Sequence, residues 1–203
     1  NREALRALLE EAERLGLSPS HSLTSCGTCR EALEEHELKT LRPNLVHMDV
    51  TQFLLGRLEF PVSEDATPIL YHAACHCEWA DVPKNKATGM YMAALRKVTG
   101  RPVELSPNCC GESGMGAMTT PAIYNRIRER KRVTLAENLA DAPETMPILV
   151  GCPSCKMGIN RILAEMRDKH PVLHTLEYLA EALDGPKWKK MLKKNVKDAR
   201  VRG

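Results

Sequence analysis

The sequence predicts an α/β protein in which helices cover a parallel sheet, and three observations carry that expectation. From residue 69 onward, short apolar strands alternate with longer amphipathic helices, the pattern that a parallel sheet with crossover helices produces. Hydrophobic residues make up 43% of a 203-residue chain, enough to bury one good core or two small ones. No apolar run is long enough for a transmembrane helix. The 12 Gly, 13 Pro and 27% charge exclude a disordered, collagenous or coiled-coil chain.

Each element follows from its own pattern. Leu5, Leu8, Leu9 and Ala12 recur at i, i+3, i+4 and i+7, so residues 3–15 form an amphipathic helix. His21 to Ser25 is a short strand that leads into Cys26-Gly27-Thr28-Cys29 and a second helical stretch. Val46 to Val50 reads as a strand, followed by a short helix through Phe53, Leu54, Leu55 and Leu58 and a polar linker from Pro61 to Pro68. Ile69-Leu70-Tyr71-His72 is the next strand, and the helix after it carries Ala87, Met90, Tyr91, Ala94 and Val98 on one face. Pro102 to Leu105 is a strand. A loop then leads to a helix opened by Thr120-Pro121, an N-cap with Pro at the first helical position, and supported by Ile123/Ile127 and Leu135/Leu139 pairs. Pro147 to Val150 is a strand, and Ile159, Ile162, Leu163 and Met166 mark the helix beyond Cys155.

The chain also repeats itself. Cys26-Gly-Thr-Cys29 aligns with Cys152-Pro-Ser-Cys155, and Gln52-Phe53-Leu54 aligns with Glu177-Tyr178-Leu179. Residues 1–60 are therefore expected to be the back half of a unit that is complete at 61–185. Residues 186–203 form a basic tail with eight Lys/Arg against one Asp, which leaves 21 basic and 25 acidic residues in the body. The charged opening, without signal peptide or initiator Met, predicts a fragment or processed chain.

Eight Cys are the unusual feature of the composition. Disulfide scaffolds are short secreted domains that cannot build a core, whereas this chain can. Inert buried thiols would be scattered, but these sit as Cys26/Cys29, Cys75/Cys77, Cys109/Cys110 and Cys152/Cys155. From residue 69 each of three strands runs into cysteine, and the carboxyl ends of parallel strands share one edge, where ligands bind. Cys75, Cys109, Cys110, Cys152 and Cys155 should converge there. Zinc takes four ligands, usually from two CxxC-type knuckles, and adjacent residues in extended backbone point apart. A multi-iron cluster has several corners for thiolates. The Gly-rich run from Cys110 to Gly116 would let backbone N–H groups approach cluster sulfides, with positive potential from the helix N-terminus at Thr120. Zinc binding and thiol–disulfide redox chemistry stay open as alternatives.

Tyr71-His72-x-x-Cys75-His76, Cys109-Cys110-Gly111 and Gly151-Cys152-Pro153-Ser154-Cys155, with 33 residues between Cys75 and Cys109 and 41 between Cys110 and Cys152, resemble the cysteine-rich CCG domain. That domain occurs in the B subunit of heterodisulfide reductase and in iron–sulfur subunits of glycolate oxidase, anaerobic glycerol-3-phosphate dehydrogenase and lactate-utilisation systems. The resemblance covers about residues 69–185. It implies a Rossmann-like fold with a partial second copy in front, and a 4Fe-4S cluster, of non-cubane form in heterodisulfide reductase, held by Cys75, Cys109, Cys110, Cys152 and Cys155. Cys26 and Cys29 would then be the tail of a first copy and a second, partial metal site. Ala73-Ala74 stand where the family pattern has Asp-Pro, and Cys77 is an additional thiol.

The resemblance further implies an iron–sulfur domain or subunit of an oxidoreductase. It would pass electrons between a flavin dehydrogenase partner or fused domain, of the 2-hydroxy acid or glycerol-3-phosphate type, and quinone or another acceptor. Reduction of a disulfide or heterodisulfide at the cluster is the alternative, and a structural zinc or interaction module a second one. The chain carries no dinucleotide fingerprint and no ferredoxin-type cysteine run, so FAD and any ferredoxin-type cluster would sit on a partner or a further domain.

The remaining candidates each have a plainer reading. His72 and His76 flank Cys75 and can hydrogen-bond cluster sulfur or relay protons, or simply satisfy nearby backbone. Gly111 permits close backbone approach. Cys77 shares a side with Cys75 only if the backbone stays extended, and is otherwise a buried thiol. Arg126, Arg128, Arg130, Lys131 and Arg132 read as a solvated face, with a docking patch the lesser alternative. In the tail, Trp188, Met191 and Leu192 among lysines suit a surface helix on an anionic membrane surface or acidic partner, and equally a partly disordered solubilising end. The expected setting is the cytoplasm, with peripheral attachment at the inner face of the cytoplasmic membrane. The acidic body argues against nucleic acid.

Overall fold

The computed structural model describes residues 2–35, 38–61, 63–112 and 118–202. Its centre is a four-stranded parallel sheet of β3 (Ile69–His72), β4 (Val103–Leu105), β5 (Ile148–Val150) and β6 (Val172–His174), in spatial order β4-β3-β5-β6. Helices make the crossovers. α5 (Lys84–Thr99) joins β3 to β4, α6 (Pro121–Leu139) joins β4 to β5, α7 (Pro153–Met166) joins β5 to β6, and α8 (Thr175–Asp184) follows β6. Side chains alternate across the strands, so both sheet faces are apolar. Leu70, Ile148 and Val150 pack on Leu135, Leu139, Ile159, Ile162 and Leu163 of α6 and α7. Ile69, Tyr71 and Leu149 pack with Tyr91 and Leu95 of α5. Full burial of each such side chain stabilises the fold by roughly 1.5–3 kcal/mol.

The first 60 residues supply a two-stranded parallel sheet of β1 (His21–Thr24) and β2 (Val46–Asp49). α1 (Arg2–Arg14) precedes it, α2 (Gly27–Glu35) and α3 (Leu38–Leu41) link its strands, and α4 (Val50–Leu55) follows. Thr24 lies opposite Asp49 just as Val150 lies opposite His174. Asp49 and His174 also do the same job, accepting the N–H of Thr51 and Leu176 to cap α4 and α8. The chain closes on α9 (Trp188–Arg202). Among the described residues no helix is long and apolar enough to cross a membrane.

Three local expectations change. The Asp49 cap ends β2 and starts α4 at Val50, one residue before the strand was expected to end. α5 buries Ala87, Tyr91, Leu95 and Thr99 while Met90 is 40% exposed; the Tyr91 ring, stacked on Tyr71 and set edge-on to Trp79, fixes the rotation of the helix. On α6, Leu135 and Leu139 are core but Ile123 is 57% exposed, and Lys131, read as part of a solvated basic face, is 0% exposed.

Candidate metal centre

The strand order reverses between β3 and β5, and there the loops leaving the two strands part and open a crevice at their carboxyl ends. After β3 the chain turns at Ala74, closed by the Cys77 N–H donating to the Ala74 carbonyl at 3.0 Å, with Cys75 exposed on the turn. After β4, Asn108 adopts a left-handed φ of 69° and Gly111 one of 70°. These two kinks flank Cys109 and Cys110, whose thiols hydrogen-bond one another, so the vicinal side chains do not diverge. After β5, Cys152 stands at the N-cap of α7 and Cys155 lies in its first turn.

The sulfurs form a row. Cys75 Sγ lies 3.3 Å from Cys109 Sγ, Cys110 Sγ lies 3.6 Å from Cys155 Sγ, and Cys152 Sγ lies 3.8 Å from Cys26 Sγ. Hydrogen bonds link Cys109 to Cys110, Cys152 to Cys155 and Cys26 to Cys29, so the row is continuous from Cys75 to Cys29. All of these cysteines are free. Crowded sulfurs cannot all ionise. Hydrogen bonds from Cys110 and Cys75 lower the pKa of Cys109, and a hydrogen bond from Cys155 lowers that of Cys152, helped by the Cys155 and Ser154 N–H groups at the start of α7. The pKa of Cys155 is raised by its hydrogen bonds with Cys110 and Cys152, and that of Cys75 by its hydrogen bond with Cys109. A cation would displace the retained protons.

His72 closes the row from below. It is 1% exposed, and one of its ring nitrogens lies within 4.8 Å of both the Cys110 and Cys155 sulfurs. Neither ring nitrogen makes a well-formed hydrogen bond. Burial, with the charge of Lys131, lowers its pKa to about 4, so the ring is neutral at pH 7 and offers a lone pair.

One face of α6 holds the loop that presents the vicinal pair. Lys131 Nζ donates to the Ser106 carbonyl at 3.1 Å, to Ser106 Oγ at 2.6 Å and to the Pro107 carbonyl at 2.8 Å. Asn108 Nδ2 donates to Thr134 Oγ1 at 2.8 Å, and Ser106 Oγ donates to Asn138 Oδ1 at 3.0 Å. Burial lowers the Lys131 pKa to about 8, against an opposing pull from Cys110, Cys155 and Cys109. Beyond the pair, the Gly111 N–H donates to Cys109 Sγ at 3.4 Å, and Glu112 pairs with Arg161 of α7 at 2.8 Å.

Some sequence candidates lie elsewhere. The turn at Ala74 sends Cys77 to the opposite sheet face, where it hydrogen-bonds Thr88 and Tyr71 and burial pushes its pKa up to about 11. His76 is exposed, and its carbonyl packs against Gly27. Ser113 to Gly116 of the Gly-rich run lie outside the described residues. Thr120 is exposed and its side chain forms no cap hydrogen bond, whereas α7 directs its N-terminus at the sulfurs. Sequence reading missed Lys131, Thr134 and Asn138, whose i, i+3, i+7 spacing was the available signal.

Sulfurs that share one tetrahedral ion, with metal–sulfur bonds of about 2.3 Å, stand about 3.8 Å apart. The Cys110–Cys155 and Cys152–Cys26 separations of 3.6 and 3.8 Å lie near that value, and Cys75–Cys109 is closer at 3.3 Å. The fold and site together define a parallel α/β domain that gathers thiols at a topological switch point, a metal-binding arrangement of the iron–sulfur kind. Residues 69–160 match the model of the CCG family, described as a cysteine-rich domain. No curated protein matches the chain significantly.

Proposed function

We propose that the domain binds a 4Fe-4S cluster through Cys75, Cys109, Cys110, Cys152 and Cys155 and serves as the electron-transfer domain of an oxidoreductase. The observation that carries this reading is the convergence of five free thiols, a vicinal pair among them, from three strand ends. Five donors that include a vicinal pair suit the several corners of a cluster better than one four-coordinate zinc. The cluster would supply one-electron storage. The chain supplies the thiolates, and the buried Lys131 ammonium behind them offsets their negative charge. A flavin dehydrogenase partner or fused domain, acting on a 2-hydroxy acid or glycerol-3-phosphate, delivers the electrons, and quinone or another acceptor takes them. Residues 1–60 are the end of a first copy of the same unit, a reading supported by the shared register of the two strand pairs. Exposed Met191, Leu192 and Val196 among the lysines of α9 support peripheral contact with an anionic membrane surface. Anaerobic reconstitution followed by metal and acid-labile sulfide analysis tests the cluster: iron and sulfide in equal amounts are expected, and stoichiometric zinc without sulfide overturns it.

A second reading, reduction of a disulfide or heterodisulfide at the cluster, is favoured by one observation. Cys75 is exposed and Cys109 only half-buried, so that end of the row opens to solvent. Cleavage of one disulfide takes two electrons and two protons and yields two thiols. EPR signals that change when a thiol or heterodisulfide is added would support it, and an unchanged spectrum counts against it.

A further inference from the structure

We propose that Cys26, from the first 60 residues, is a ligand of the same metal centre as Cys152, so that both parts of the chain build one site. This rests on the reading of the cysteine row as metal-binding. It replaces a separate partial site at Cys26 and Cys29 with a shared one.

The geometry is specific. Cys26 Sγ stands 3.8 Å from Cys152 Sγ, the separation expected of two thiolates on one tetrahedral ion. Cys26 also packs against the same apolar cluster as Cys109, Cys110, Cys152 and Cys155. Three further contacts seat its loop there. Before it, the Ser25 carbonyl lies 3.2 Å from Nε2 of His174, the residue that caps α8. After it, Gly27 meets the Cys75 turn so closely that a Cβ would lie 2.2 Å from the His76 carbonyl oxygen, so only glycine fits. One turn further, Arg30, itself buried, forms an ion pair with Glu78, just past that same turn. Gln52 of α4 adds a hydrogen bond, its Oε1 accepting the Ala80 N–H at 3.0 Å. A loop held on both sides of the cysteine leaves the sulfur little freedom, and a pre-positioned thiolate binds metal with less ordering cost.

Thiol labelling of the unaltered chain gives a test that does not depend on a variant folding. Alkylation by iodoacetamide, read site by site by mass spectrometry, is compared in the apo chain, the chain loaded with Co²⁺ alone, and the chain reconstituted with iron and sulfide. Loading is expected to slow Cys26 about tenfold or more, in parallel with Cys152, because a metal-bound thiolate is a poor nucleophile. Cys26 reacting at its apo rate while Cys152 is protected overturns the proposal. In the second arm, Cys26→Ser is expected to weaken the sulfur-to-Co²⁺ charge-transfer absorption and alter the EPR spectrum of the reconstituted chain, with Cys77→Ser like the parent in both. A Cys26→Ser variant with the parent's spectra overturns it as well. The two readings fail separately. If Co²⁺ protects Cys26 and Cys152 together but no sulfide is incorporated, the cluster falls and the shared ligand stands. A cluster that assembles with Cys26 unprotected gives the reverse, and protection by neither metal overturns both.

Discussion

Lys131 is a fully buried ammonium held by three oxygen atoms of Ser106 and Pro107. Lys131→Met keeps an unbranched side chain, one atom shorter, and removes all three N–H donors. The relief of not burying a charge offsets part of that loss, and the net expectation is a destabilisation of roughly 1–3 kcal/mol, read from denaturant midpoints. Gly111 is constrained differently. Its φ is 70°, and an added Cβ would lie 2.4 Å from Arg128 Cγ and 3.1 Å from the Arg128 backbone nitrogen. Gly111→Ala is expected to cost about 1–3 kcal/mol and to lower the yield of metal-loaded protein, measured as bound metal per chain. The thiols and their convergence were legible in the sequence because parallel strands bring their carboxyl ends to one edge. Lys131 was not, because nothing in a run of five basic residues marks which one turns inward to meet a carbonyl-lined loop. His72 and His76 looked equivalent beside Cys75, yet one is the last residue of a buried strand and the other sits on an exposed turn.

Among the elements, α8 depends on a reciprocal cap: the Leu176 N–H donates to His174 Nδ1 at 3.2 Å, and the His174 N–H donates to Glu177 Oε2 at 2.9 Å. Partial burial alone would raise the Glu177 pKa, but its bonds to the Lys156 side chain and the His174 N–H, with the charges of Lys156 and Lys189, leave it below 4.5. A carboxylate depressed in the folded state stabilises fully above its unfolded pKa and loses that contribution as pH falls through the folded value. Glu177→Ala is therefore expected to cost about 1 kcal/mol at neutral pH. The gap from the parent should narrow toward about pH 3, checked by denaturant unfolding at both pH values. α9 invites a different measurement. Sedimentation with vesicles rich in anionic lipid is expected to capture the chain at low salt and release it at high ionic strength, where exposed charges are screened. Its apolar stripe was visible from the spacing of Trp188, Met191 and Leu192. The burial of α5 was read less well, since periodicity gives a face and the Tyr71–Tyr91–Trp79 ring contacts choose its angle.

At the scale of the molecule, the sheet order β4-β3-β5-β6 puts the cysteine loops on either side of the point where the connections reverse. The parallel class was readable from strand–helix alternation, whereas the seating of Cys26 against Cys152 was not, because residues 126 positions apart leave no local trace of their contact. A metal bound only by the folded chain stabilises it by mass action, about 2.7 kcal/mol at a free concentration one hundred times Kd. Loaded protein is expected to melt higher than the apo form, and a strong chelator should abolish the difference in a thermal scan. The strand order also has a kinetic side. β3 pairs on one edge with β4 and on the other with β5, nearly eighty residues further along the chain. Pairings so distant in sequence close late, so Cys75 is synthesised well before Cys152 and Cys155 and waits for them as an exposed thiol. The interval between synthesis and sheet closure is then the period in which this chain is most open to oxidation, and a reducing or anoxic environment during folding decides how many copies arrive with their sulfurs intact.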